Sequence, residues 1–213
     1  MPLLKMENKN NTGTLYICAT PIGNLQDTSL RLLDTLKTVD IIISEDTRTT
    51  KKLLSKFDIR DVKIESYHDN TTEKKSEDII KNLEKGLNIA IVSESGMPLI
   101  SDPGFKLVRS CIERNINLTV IPGPNAALSA LVLSGISVDN FLFIGFLPKT
   151  SVKIKKKLEE IKNFPYSIIF YESPNRILEL LKIIKEVFGE REICLARESV
   201  SYTHLTLPTN REV

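Results

Sequence analysis

Short apolar runs alternate along this chain with longer segments whose apolar residues recur every three or four positions. Thr14–Ala19, Asp40–Ser44, Asn88–Val92 and Asn117–Ile121 are rich in Ile, Val, Leu and Thr and have the length of buried strands. Val62–Ser66 alternates polar and apolar residues and reads as a half-buried strand. Helices are predicted between them. The first carries Leu30, Leu33 and Leu36 behind a capping Asp27. The second carries Leu53, Leu54 and Phe57, and the third carries Ile79, Ile80 and Leu83 and stops at Gly86. The fourth carries Phe105, Val108, Cys111 and Ile112, with Asp102 as its N-cap and Pro103 in its first position. A helix of small residues follows Ala126 and ends at Gly135. Strands alternating with helices predict an α/β domain built on a largely parallel sheet, spanning residues 13–123.

The pattern continues less regularly over residues 124–198. Phe141–Gly145 and Tyr166–Tyr171 read as strands, and Arg191–Ala196 as a last one. One helix has Ile154, Leu158 and Ile161 on its apolar side. Another, capped by Ser173 and opened by Pro174, carries Ile177, Leu180, Leu181, Ile184 and Val187 up to Gly189. This predicts a second α/β domain with a mixed sheet. Residues 1–12 read as a mobile polar lead-in.

The polar residues after the predicted strands carry the candidate chemistry, because ligands of open α/β sheets settle at the carboxyl ends of strands. The richest stretch is Ser93-Glu94-Ser95-Gly96-Met97-Pro98-Leu99-Ile100-Ser101-Asp102-Pro103-Gly104. Its glycines permit close backbone approach and its prolines remove loop entropy, which favours a binding loop over a plain connector. Thr20-Pro21-Ile22-Gly23-Asn24 has one glycine rather than a dinucleotide fingerprint, so by itself it is a simple strand-to-helix turn. Glu45-Asp46-Thr47-Arg48 suits either a polar site or a helix cap, with Asp46 favouring the helix N-terminus. His68, beside Asp69, is a candidate base or a structural histidine.

Composition narrows little. The chain of 213 residues has 29 Lys and Arg against 27 Asp and Glu, so a nucleic-acid partner would have to be met by a local patch. The densest basic run is Lys149, Lys153, Lys155, Lys156, Lys157 and Lys162, which is a solvated helix face unless RNA phosphates use it. No aromatic stripe accompanies it. Cys18, Cys111 and Cys194 sit in apolar runs without metal-ligand spacing and read as free thiols of a reducing compartment, and no metal is called for. No apolar run reaches the ~18 residues of a membrane span. A cytoplasmic protein is expected.

The central loop resembles the signature of the small-subunit rRNA (cytidine-2′-O)-methyltransferase family of the tetrapyrrole methylase superfamily, Ser-Asp-Ala-Gly-Thr-Pro-x-Ile-Ser-Asp-Pro-Gly. Glu94, Ser95 and Met97 depart from it. Thr20-Pro21-Ile22-Gly23-Asn24-Leu25, Glu45-Asp46-Thr47-Arg48, Ser66-Tyr67-His68 and Ile121-Pro122-Gly123-Pro124 match the same family in order and spacing, from about Gly13 to Glu198. The resemblance implies a two-domain tetrapyrrole-methylase-like fold with S-adenosylmethionine between the domains, and methyl transfer to the ribose 2′-oxygen of a cytidine in small-subunit rRNA. It implies a cofactor site at Pro21, Gly23, Glu94, Gly96, Met97, Ser101, Pro122, Gly123 and Ala126. It places substrate orientation and proton handling on Glu45, Asp46, Arg48 and His68. It also implies a homodimer acting on rRNA or the ribosomal subunit. The rivals are a methyltransferase of the same fold acting on a tetrapyrrole or a protein side chain, and a phosphate-binding module without chemistry. The family pattern ends at Glu198, so the second domain is expected to be C-terminally truncated. Residues 199–213, His204 included, are set aside as a non-native tail.

Overall fold

The computed structural model describes residues 12–68 and 73–200. It divides into two compact units between Asn125 and Ala126. In the first unit the strands are β1 (Thr14–Cys18), β2 (Ile41–Ser44), β3 (Lys63–Ser66), β4 (Ile89–Val92) and β5 (Asn117–Ile121). They form one sheet in the order β3-β2-β4-β1-β5, and every pairing is parallel. The helices are α1 (Leu30–Thr38), α2 (Thr47–Lys56), α3 (Glu73–Glu84) and α4 (Phe105–Glu113).

Alternation of side chains within the apolar strands builds two cores, one on each face of the sheet. Leu15, Ile17, Ile41, Ile43, Ile89 and Ile91 pack with Ile79, Ile80 and Leu83 of α3 and with Leu107 and Cys111 of α4. Cys18, Ile42, Ala90, Val92 and Ile121 pack with Leu32 and Leu36 of α1 and Leu54 of α2. Cys111 is buried and Val108 packs on the core as expected, but Phe105 and Ile112 are exposed and Leu107 faces the core instead.

The helix starts also differ from expectation. Asp27 ends a short 3-10 turn, Leu25–Asp27, capped by Asn24. The N-cap of α1 is Ser29, whose hydroxyl accepts from Leu32 N at 3.1 Å. Asp102 does not cap α4. The chain enters that helix only after Gly104, at φ +130°, a backbone conformation that an aspartate rarely adopts.

The second unit contains α5 (Ala126–Leu133), β6 (Phe141–Phe146), α6 (Ser151–Glu160), β7 (Ser167–Tyr171) and α7 (Ile177–Phe188). Its sheet among the described residues is β6 and β7 alone, and they are parallel rather than mixed. Register shifts between Phe143 and Gly145, where Gly145 has φ +73°. Leu147, Ile154, Leu158, Leu180, Ile183, Ile184 and Val187 form its core. Ser173 and Pro174 do not open α7. Arg176 N closes a turn on Ser173 O at 3.0 Å, and the helix begins at Ile177. Arg191–Ala196 is not a strand. There the Arg191 guanidinium, not the local backbone, meets the neighbouring segment, donating to Tyr166 O at 3.0 Å.

Candidate functional site

Because all five strands of the first unit are parallel, the turns that follow them gather along one edge of the sheet. The adjacent strands β4, β1 and β5 carry the loops that matter most. After β1, Thr20 pairs with Gly96 of the β4 loop as an isolated antiparallel bridge. Thr20 N donates to Gly96 O at 2.9 Å and Gly96 N donates to Thr20 O at 3.1 Å. Thr20 and Ser93, both buried, reinforce it: Thr20 Oγ1 donates to Ser93 O at 3.3 Å, and Ser93 Oγ donates to Gly96 O at 2.7 Å. Ser95 Oγ reaches Pro21 O at 3.4 Å.

The bridge explains the glycine. Gly96 has φ +83°, and a Cβ there would lie 3.1 Å from Ile22 Cγ2 and 3.4 Å from Pro124 O. It therefore sits where the turns after β1 and β5 close on the β4 loop. At Gly123 a Cβ would come within 3.0 Å of the Ala19 Cβ. Farther along, Leu99 (φ +70°) and Ser101 (φ +68°) are left-handed non-glycine residues. Such strain persists only where the surroundings over-determine it, and Leu99 is held by packing on the core with Met97.

On the β2 side of the same edge is a small open pocket. Ser44, Glu45, Tyr67, Ser93, Pro98, Asp102 and Pro103 are among the residues that line it. Tyr67 N donates to Ser44 O at 2.8 Å, holding the ends of β2 and β3 together. The Ser44 hydroxyl is buried and has no hydrogen-bond partner among the described residues.

Of the residues expected to handle substrate, Glu45 is exposed at this pocket and His68 is exposed just beyond β3. Asp46 is the N-cap of α2, its Oδ1 accepting from Arg48 N at 2.7 Å. The Arg48 side chain is 91% exposed, with Nε 3.8 Å from the same oxygen. The capping alternative for Asp46 is thus the one with visible geometry. Asp69 lies outside the described residues.

Of the residues expected to hold cofactor, Pro21 and Gly23 follow β1. Glu94, Gly96, Met97 and Ser101 follow β4, and Pro122 and Gly123 follow β5. Met97 is partly buried against the core, while Glu94 and Ser101 are exposed. Ala126 belongs to the second unit, as the first residue of α5. Sequence reasoning passed over Thr20, Ser93, Ser44 and Tyr67 as site residues. The available signal was a serine directly after an apolar strand with a glycine three positions on. Cys18, the last residue of β1, is no nucleophile, since burial pushes its thiol up to about 12.

The profile of the Tetrapyrrole (Corrin/Porphyrin) Methylases matches residues 14–207, almost the whole chain. The chain belongs to the tetrapyrrole methylase family. Within it, the chain is 46% identical over 192 residues to the ribosomal RNA small subunit methyltransferase I of Halalkalibacterium halodurans, covering 90% of this chain and 66% of that one. It is 49% identical over 188 residues to the protein of the same name from Haemophilus influenzae, covering 88% and 66%. For that of Thermotoga maritima the figures are 42% over 186 residues, 87% and 83%. The chain thus spans just under two thirds of the length of the first two of these relatives. The fold is shared with the crystal structure of a conserved hypothetical protein, APE0931, from Aeropyrum pernix K1. The TM-score is 0.62 at 18% identity, over 83% of this chain and 66% of that one. The parallel five-stranded sheet is therefore that of a tetrapyrrole methylase. Among the described residues no helix is long and apolar enough to cross a membrane.

Proposed function

We propose that this chain is an S-adenosylmethionine-dependent methyltransferase that methylates the ribose 2′-oxygen of a cytidine in small-subunit rRNA, in the cytoplasm. The observation that carries this reading is the Thr20–Gly96 bridge, which draws the turns after β1 and β4 into one rigid ledge beside Pro122 and Gly123. Similarity to relatives named as small-subunit rRNA methyltransferases supports the substrate class. So do Lys149, Lys153 and Lys156, which have no ion-pair partner among the described residues.

The ledge suits the cofactor. At positions 96 and 123 the turns pack closely, a Cβ meeting Ile22 Cγ2 at 3.1 Å and Ala19 Cβ at 3.0 Å, so the ledge is built of tightly apposed backbone. Pro21, Gly23, Gly96, Pro122 and Gly123 would form its bed. Glu94 and Ser101 would supply polar partners, with Met97 beneath. When bound, the cofactor supplies an electrophilic methyl group on a sulfonium that departs as a neutral thioether. The chain's own task is then to align the ribose oxygen, exclude water and receive the hydroxyl proton. Glu45 and His68 are the groups for that proton, Arg48 would hold a flanking phosphate, and Asp46 fixes the start of α2 from which Arg48 projects. The protein works as a homodimer, a reading supported by the exposed Leu128, Val132 and Leu133 of the apolar helix α5.

The test is transfer of labelled methyl from S-adenosylmethionine to undermethylated small subunits, followed by mapping of ribose 2′-O-methyl groups. A single modified cytidine is expected. Transfer to a tetrapyrrole or to a protein side chain instead would replace the substrate assignment, and binding of phosphate ligands without S-adenosylmethionine would end the enzymatic one.

A further inference from the structure

The second unit holds a charged cluster of its own. Strands β6 and β7 run parallel, with Phe146 opposite Tyr171 at their carboxyl ends. Just beyond these ends lie Pro148, on the way to α6, and Glu172, on the way to α7. The Glu172 side chain is only 4% exposed. Its Oε1 accepts from Ser173 N at 2.7 Å. Its Oε2 makes no hydrogen bond and lies 3.3 Å from Arg176 Nη2, an ion pair off hydrogen-bonding geometry. The same Nη2 donates to Pro148 O at 2.6 Å.

A carboxylate is a poor choice for such a buried place if stability is its only purpose, because desolvation offsets most of what one ion pair returns. What it does here is orient. Glu172 and the Pro148 carbonyl grip one end of the Arg176 guanidinium. Nε and Nη1 have no partner among the described residues, and the side chain is 30% exposed. Anchored through Nη2, the guanidinium keeps its charge and its Nε and Nη1 N–H groups for the oxygens of an anion such as a phosphate. Lys149 follows Pro148 directly and Lys153 lies in the first turn of α6, both without an ion pair among the described residues, so the positive field continues past the guanidinium. A cofactor with a single carboxylate has no use for that extended field, whereas a polyanion does.

We propose that Arg176 binds a backbone phosphate of the rRNA substrate and that Glu172 is its positioning residue. This rests on the rRNA methyltransferase reading above. In the full chain, Arg176→Ala is expected to raise the KM for small subunits at least about ten-fold and to lower the salt-dependence slope of rRNA binding by about 1, with S-adenosylmethionine affinity unchanged by calorimetry. Arg176→Lys keeps the slope but cannot both hold the Pro148 carbonyl and present further N–H groups in a fixed plane, so its KM rises too. Glu172→Gln should raise KM with kcat and melting temperature near wild type, and should add nothing to Arg176→Lys. A purely structural pair would lower melting temperature and kcat together and leave the slope alone, which would overturn the proposal. Wild-type KM and slope in Arg176→Ala would also overturn it. So would loss of cofactor affinity with rRNA binding intact, since the guanidinium would then serve the cofactor. If the wild type methylates no small subunit, the functional reading fails. The binding arm on naked small-subunit rRNA still decides the role of Arg176.

Discussion

Gly96 joins sequence to site through one dihedral. Its φ of +83° lets the β4 loop fold back so that its N–H and C=O pair with Thr20. Any side chain is strained there, and one as small as a methyl already presses on Ile22 Cγ2. Gly96→Ala is therefore expected to cost about 1–2 kcal/mol of stability and to weaken S-adenosylmethionine binding, because the ledge and the fold share the same hydrogen bonds. Thermal melts and calorimetry on the one variant check both. Unchanged stability would mean that the loop adapts and the bridge is not needed. Gly96→Val would press harder on Ile22 and disturb the turn after β1, so it would not ablate binding alone. Asp46 teaches the opposite lesson: a carboxylate that looks chemical is satisfied by the backbone of its own helix.

Helix α6 shows what an element does to a run of charge. Read as a string, its lysines are equivalent. On the folded helix Lys155 is engaged by Glu186 of α7, Lys157 by Glu160 at 3.0 Å and Lys162 by Glu159 at 3.9 Å. Lys149, Lys153 and Lys156 stand outside these pairs; Lys153 and Lys156 share one face of the helix, and Lys149 lies just before its N-cap, Thr150. Charge reversal of those three should abolish measurable rRNA binding at moderate salt. Reversal of Lys155 and Lys157 should weaken it less, since part of their charge is already compensated. Filter binding across a salt series reads the difference, and equal losses from the two sets would show that only total charge matters. Surface pairs of this kind contribute little to stability, so both variants should melt close to wild type.

At the scale of the whole molecule, the two faces of the first sheet each bury one thiol. Cys111 lies in the core beside α3 and α4, and Cys18 in the core beside α1 and α2. Burial pushes both up to about 12, against an ordinary 9.0. The neutral form is favoured in the folded state. Their contribution is therefore fully present below pH 9 and is lost as pH rises from about 9 towards 12, where the unfolded chain releases protons that the folded one retains. Stability is expected to fall through that window, and Cys18→Ala/Cys111→Ala should flatten the fall relative to its own neutral-pH value. Denaturant titrations at several pH values test this. In the native protein at pH 8, Cys194, which is partly exposed, should be alkylated well before the other two.

The α/β class, the five parallel strands of the first unit and the identity of the central loop were legible in the chain, because each depends on local signals. An apolar run such as Ile89–Val92 is buried on both sides whatever its neighbours, and a loop with two glycines and two prolines announces a restricted backbone. Helix starts were less legible. Asp27, Asp102 and Ser173 are all sound caps by residue type, yet Ser29, Gly104 and Arg176 hold the position. The path of the incoming chain decides which residue meets the first turn. Strand order lay beyond the sequence altogether. Only the sheet order places β4 beside β1 and β1 beside β5, so that Thr20 meets Gly96 and Gly123 meets Ala19. The same holds for Glu172 and Arg176. One helical turn apart they read as a helix start, and it took the burial of one and the Pro148 carbonyl behind the other to make them an anchored cation. Periodicity records which side of an element is wet; which two loops share an edge is settled by the packing of the whole sheet.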